Sequence, residues 1–231
     1  FSQFIADATK QSCVKFVLHG AANAKAETAA GYVTVSDIPF RVSTSLLGLQ
    51  NLNARPAYVE DLDVAHGYPK YLLVTINAFL YNPSHLTVGT GDVSFNLFFQ
   101  DHLIGSANIN DLVIHPGLNK VPTDVHYSPQ GAANTRAGQT MLENYVQGIS
   151  STTYIRGSKG TTDIASLKQA LSGIELRVTI PPLKKLLITE DRLVIPKNIA
   201  QTAIAQAKFQ LANPFTASIN LLKVKAKASY K

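Results

Sequence analysis

Apolar and polar side chains alternate along much of this chain. Val93-Ser94-Phe95-Asn96-Leu97-Phe98-Phe99 keeps its odd positions apolar, and Ile174-Glu175-Leu176-Arg177-Val178-Thr179-Ile180 alternates throughout. A period of two describes a strand with one buried and one wet face. Further strands are expected at Val14–Leu18, Gly31–Val35, Phe40–Leu47, Leu72–Tyr81, Ile104–Ile109, Asp111–Ile114, Val121–Tyr127, Thr152–Arg156, Lys184–Ile188, Ala207–Ala212 and Ile219–Tyr230. Gly89-Thr90-Gly91, Gln100-Asp101-His102 and His115-Pro116-Gly117 read as turns between them. Helical spacing is confined to short stretches: Phe1 to Ala8, Met141 to Ile149, Ile164 to Leu171 behind an N-cap at Asp163, and Lys197 to Gln206. Many strands, few helices and frequent turns predict a mainly β protein built as an antiparallel β-sandwich.

Composition narrows the classes. With 231 residues, 45% hydrophobic and 16% charged side chains, the chain is neither disordered nor too small for a core. Cys13 is the only cysteine, so no disulfide framework forms within the chain. It adjoins an apolar strand and reads as a small buried hydrophobe. No Asn-x-Ser/Thr sequon occurs. The net charge of +6 permits contact with anionic partners without demanding it.

Segments also recur. Phe79-Leu80-Tyr81-Asn82-Pro83 returns as Gln210-Leu211-Ala212-Asn213-Pro214, Val14–Gly20 resembles Thr152–Gly157, and Asp37–Val42 resembles Gly173–Val178. These likenesses imply a repeat of about 134 residues. Its phase makes residues 1–55 the C-terminal half of a sandwich repeat, 58–190 a complete repeat, and 193–231 an N-terminal half complementary to 1–55.

The stretch from Leu72 to Ser84, with Gly91–Leu97 and Ile104–Ala107, resembles the opening of a late-embryogenesis-abundant group 2 domain. Asn82-Pro83-Ser84, Gly105 and Pro116-Gly117-Leu118-Asn119 resemble the fungal tandem domains of unknown function found on vacuolar and secreted proteins. The resemblance implies an immunoglobulin- or fibronectin-III-like sandwich, a location outside the cell or in the vacuolar lumen, and, for some relatives, lipid held in an apolar groove.

No catalytic chemistry stands out. Phosphate loops, nucleophile elbows and dinucleotide fingerprints are absent from the sequence. His85, His102, His115 and His126 follow no metal-ligand spacing, so neither metal nor cofactor is expected. Glu60, Asp61 and Asp63 read as a solvated linker. Lys223, Lys225 and Lys227 alternate with apolar residues, which would set three ammonium groups on one strand face for a lipid headgroup or other anionic surface. No aromatic row interleaves with them, so nucleic acid is not expected.

Two functions follow, neither enzymatic. In the first, the split repeat is completed between molecules. Val14, Phe16, Leu18, Phe40 and Val42 of one chain would meet Phe209, Leu211, Ile219, Leu221 and Val224 of the next, giving head-to-tail filaments. In the second, the two halves close one domain within a monomer. Tyr71, Phe79, Phe95, Phe98 and Phe99 would then line a lipid groove.

Overall fold

The computed structural model describes residues 2–29, 31–185, 187–195, 197, 198, 201 and 206–220. It opens with helix α1 (Ser2–Lys10) and two long strands, β1 (Cys13–Thr28) and β2 (Gly31–Leu47), which among the described residues pair only with each other. A 3-10 turn, Gln50–Leu52, with positive φ at all three residues, leads into the main body. There β3 (Ala57–Gly67), β4 (Leu72–Asn82), β5 (Val88–Phe99), β6 (His102–Ile114), β7 (Gly117–Tyr127), β8 (Ser151–Arg156) and β9 (Glu175–Ile180) form one closed barrel in the order β3-β4-β7-β6-β5-β8-β9. Helix α2 (Ala132–Val146) joins β7 to β8, and α3 (Lys168–Ser172) precedes β9. A second two-stranded sheet, β10 (Ile188–Val194) with β11 (Gln206–Leu211), follows.

The sheet is antiparallel except where it closes. There β3 lies parallel to β9, Ala57 opposite Val178 and Tyr58 opposite Thr179. The expected sandwich is therefore corrected to a barrel, because the two strands that would be its edges pair with each other. The mainly β composition with a few helices is what the structure has.

Alternation selects the inner row. Val93, Phe95, Leu97 and Phe99 of β5 point inward, as do Val121, Val125 and Tyr127 of β7. One apolar cluster gathers Leu49, Leu52, Val59, Leu80, Phe95 and Leu176 at the α1–α3 end. The other gathers Leu97, Phe99, Ile104, Tyr127 and Met141 beneath α2. Buried hydroxyls inside are satisfied locally: Thr90 donates to the Leu112 carbonyl and Thr153 to that of Val178. Gly105 lets β6 pass close to β7, since a Cβ there would run into the His126 carbonyl.

Several local expectations change. Residues 60–63 are part of β3 rather than a linker. Bulges between Glu60 and Asp63 and between Val64 and His66 interrupt the alternation that would have shown the strand. Gly89-Thr90-Gly91 lies within β5, where bulges at Gly89 and Gly91 absorb the glycines. Gln100 and Asp101 do form the β5–β6 turn, both with positive φ as a two-residue type I′ loop requires. α3 begins after Leu167, so Asp163 is not its cap. Cys13 is exposed.

The repeat is corrected too, because its matched segments sit in unlike places. Among the described residues β1 pairs only with β2, whereas β8 sits in the barrel wall between β5 and β9. What Asn82 and Asn213 share is turn chemistry. Each side-chain amide donates to the carbonyl four residues on, and each Oδ1 accepts the N–H two residues on.

The inner row makes a direct prediction. Phe95→Ala empties a core site and should cost about 3–5 kcal/mol in urea unfolding. Phe98→Ala removes an outer ring beneath the Arg156 guanidinium and should cost about 1 kcal/mol or less. Burial also raises the Tyr127 hydroxyl above its ordinary value of 10. Its folded pKa then exceeds its unfolded one, so stability is complete below pH 10 and falls as pH rises beyond it. Tyr127→Phe should flatten that alkaline loss in unfolding curves compared at pH 8 and above 10.

Candidate functional site: the exposed face of the β1–β2 ribbon

The barrel leaves the groove residues apart. Phe95 and Phe99 are buried in different clusters. Phe98 lies under Arg156, which also bonds Glu175 at 2.7 Å and Asp101 at 2.9 Å. Phe79 stacks on Tyr58 with centroids 4.8 Å apart, and Tyr71 stacks between Tyr68 and His126. These contacts place Phe79 and Tyr71 on the outer wall. Lys223, Lys225 and Lys227, with Leu221 and Val224, lie outside the described residues. Phe209, Leu211 and Ile219 are exposed, and no ladder among the described residues joins β10–β11 to β1–β2.

Among the described residues, exposed large apolar side chains gather on β1–β2. Facing residues in an antiparallel pair share a face, and so do alternate residues along each strand. Val14 faces Leu46, Leu18 faces Val42, and Ala22 faces Ile38, with Phe16 and Phe40 at the intervening alternate positions. Pro39 and Leu47 apart, the apolar positions of β2 from its C-terminal end back to Ile38 are thus even-numbered. Beyond it they become odd: Val35 and Val33. A bulge between Ala22 and Ala24 inserts one extra residue into β2 at this change, so Val35 faces Ala24 and Val33 faces Ala26 on the same side. Asp37 takes the positive φ, and its N–H donates to Asn23 Oδ1 at 2.9 Å. One bulge keeps the apolar face continuous along the ribbon.

That face is open. Leu18, Val42, Val33 and Val35 are each about half exposed, and Phe40 is 44% exposed. Among the described residues, an aromatic contact covers only its base, where Phe4 of α1 meets Phe16 edge-on at 5.7 Å. The opposite face carries Lys15, His19, Arg41 and Lys25, the last over the Tyr32 ring. The ribbon's base is fixed to the barrel end. Gly48 and Leu49 donate to the carbonyls of Ser12 and Ala8, Ala6 and Ala8 are buried, and Gln169 of α3 donates to Gln3. A Cβ on Gly48 would overlap the Gln11 carbonyl, so glycine permits the close return of β2 to α1.

The sequence held a sign of this face. Odd apolar positions at Val33 and Val35 and even ones at Ile38, Phe40 and Val42 read as two strands; Asp37 between them marks one bulged strand.

A family model described as a protein of unknown function, DUF3712, matches residues 1–97, which run from α1 through the ribbon to most of β5. No curated protein and no solved structure matches the chain. The expected tandem sandwich repeats of the late-embryogenesis-abundant kind, and their fungal setting, are corrected accordingly. The structure has a single closed barrel, with a partial match to a family of unknown function.

Proposed function

We propose that this chain is a monomeric, non-catalytic module that binds an anionic lipid surface through the apolar face of its β1–β2 ribbon. The observation that carries the reading is the exposed apolar face from Leu18 to Val33, kept in register by the bulge at Asp37. Contiguous apolar surface of this kind marks a contact site when a polar rim surrounds it. The basic residues Lys15, Arg41 and Lys25 on the other face, and the net charge of +6, favour an anionic headgroup layer above the buried side chains.

Filament formation by strand complementation is set aside. The barrel closes on itself through β3 and β9 and offers no open edge for a neighbour's strand. Phe95 and Phe99 belong to the two core clusters, so the proposed contact lies on the ribbon and not in an interior groove.

The test is co-sedimentation with vesicles of phosphatidylcholine and phosphatidylserine. Leu18→Asp with Val42→Asp places two charges on the exposed face without touching the barrel core. Losing two apolar side chains of about 2 kcal/mol each should weaken vesicle binding at least tenfold, with the barrel melting unchanged. Equal binding by the variant would overturn the reading. So would a wild-type dimer in sedimentation velocity that the same variant dissolves, because a second copy would then cover the face.

A further inference from the structure

A second surface lies on the barrel wall. β6 and β7 pair from Gly105 opposite Tyr127 to Asn108 opposite Asp124, and there the ladder ends. Beyond that point β6 keeps its pairing with β5 and β7 its pairing with β4, and no ladder joins β6 to β7 before their short turn at His115 and Pro116. A cleft of about 340 Å³ opens between them. That volume is at the small end of the range for small-molecule sites, about 300–1,000 Å³.

Its lining is mixed in a particular way. Asn110, Asp111, Lys120 and Asp124 supply amide, carboxylate and ammonium groups, while the Asn108 amide at the edge is already bonded to Ser94, Ser106 and the Asp124 carbonyl. Ile109, Leu112 and Val121 supply an apolar floor that is almost fully buried. Among the described residues the side chains of Asn110 and Asp124 have no protein hydrogen-bond partner, and Lys120 reaches Asp61 only at 4.0 Å. Past Asn108 and Asp124 the backbones of β6 and β7 form no ladder with each other.

Aromatic rings flank this cleft on the same outer wall. Lys120 lies opposite Phe79, which stacks on Tyr58. Two residues along β7 from Asp124, His126 stacks on Tyr71 at 4.2 Å, and Tyr71 on Tyr68 at 4.7 Å. Tyr58 and Tyr68 are both more than a third exposed.

From this combination we propose that the β6–β7 cleft binds a neutral carbohydrate. Each sugar hydroxyl both donates and accepts, which suits a side-chain amide, carboxylates and an ammonium group placed together. The C–H surfaces of the sugar ring pack on the apolar floor and the flanking rings. A lipid chain would strand Asp111 and Asp124 against hydrocarbon. A nucleic acid would meet two carboxylates and one lysine already near Asp61. The carbohydrate site is separate from the ribbon and stands whether or not the ribbon binds lipid.

The experiment is an NMR titration of the labelled protein with cellohexaose, laminarihexaose, mannohexaose and chitohexaose. At least one should give saturable shifts confined to the cleft, the Asn110 side-chain amide among them. Asn110→Ala with Asp124→Ala should weaken that binding tenfold or more, as expected for two lost hydrogen bonds, while thermal unfolding stays at the wild-type value. Absence of shifts with all four sugars at about 10 mM would overturn the proposal. So would binding that the double variant leaves unchanged.

Discussion

Closure of the barrel rests on a short contact. Ala57 and Tyr58 meet Val178 and Thr179 in the sheet's one parallel pairing, and that contact turns a seven-stranded sheet with two edges into a wall with none. Open edges would leave a row of unpaired N–H and C=O groups, a standing template for another chain. The approach to the contact is secured from outside the sheet. Asn53 donates to the Glu175 carbonyl at 2.7 Å, and Leu49 and Leu52 pack into the same cluster as Leu176 and Val178. Arg156, bonded to Asp101 and Glu175, ties the β5–β6 turn to β9 across β8.

Because the barrel satisfies itself, the ribbon is left with an apolar face that its own core does not use. An isolated two-stranded ribbon is marginal in water, and this one is held at its base by α1 and its contacts to α3. The position of the Asp37 bulge gives the face its meaning. A strand with no partner for one side has no need to keep that side apolar across a parity change, and here the change and the bulge coincide. The cleft between β6 and β7 arises in a related way. Each of those strands keeps its pairing with an outer neighbour while giving up pairing with the other.

Local features were legible and global ones were not. The alternation of β5 and β9 marks both strands directly, and the Gln100-Asp101 turn is visible as a break between two apolar runs. Val93, Phe95, Leu97 and Phe99 share one face by alternation alone, which sets Phe98 on the other. β3 was hidden because two bulges break its alternation and its exposed carboxylates imitate a linker; Asp61 and Asp63 instead accept hydrogen bonds from Asn77 and from the Thr216 N–H. Closure was hidden because two residue pairs leave no periodic trace. The recurring Asn-Pro segments suggested repetition because one hydrogen-bonded turn serves both. Polar side chains of the cleft are scattered over two strands, and only the fold brings them together.

The central claim is that the ribbon is uncovered in the free protein and covered on a lipid surface. Hydrogen–deuterium exchange, read peptide by peptide with and without anionic vesicles, measures both states at once. In free protein the amides of β1 and β2 should exchange well ahead of those in β4–β7, and vesicles should slow the ribbon while leaving the barrel unchanged. A ribbon already as protected as the barrel in free protein would contradict the account, as would one that vesicles leave unaltered.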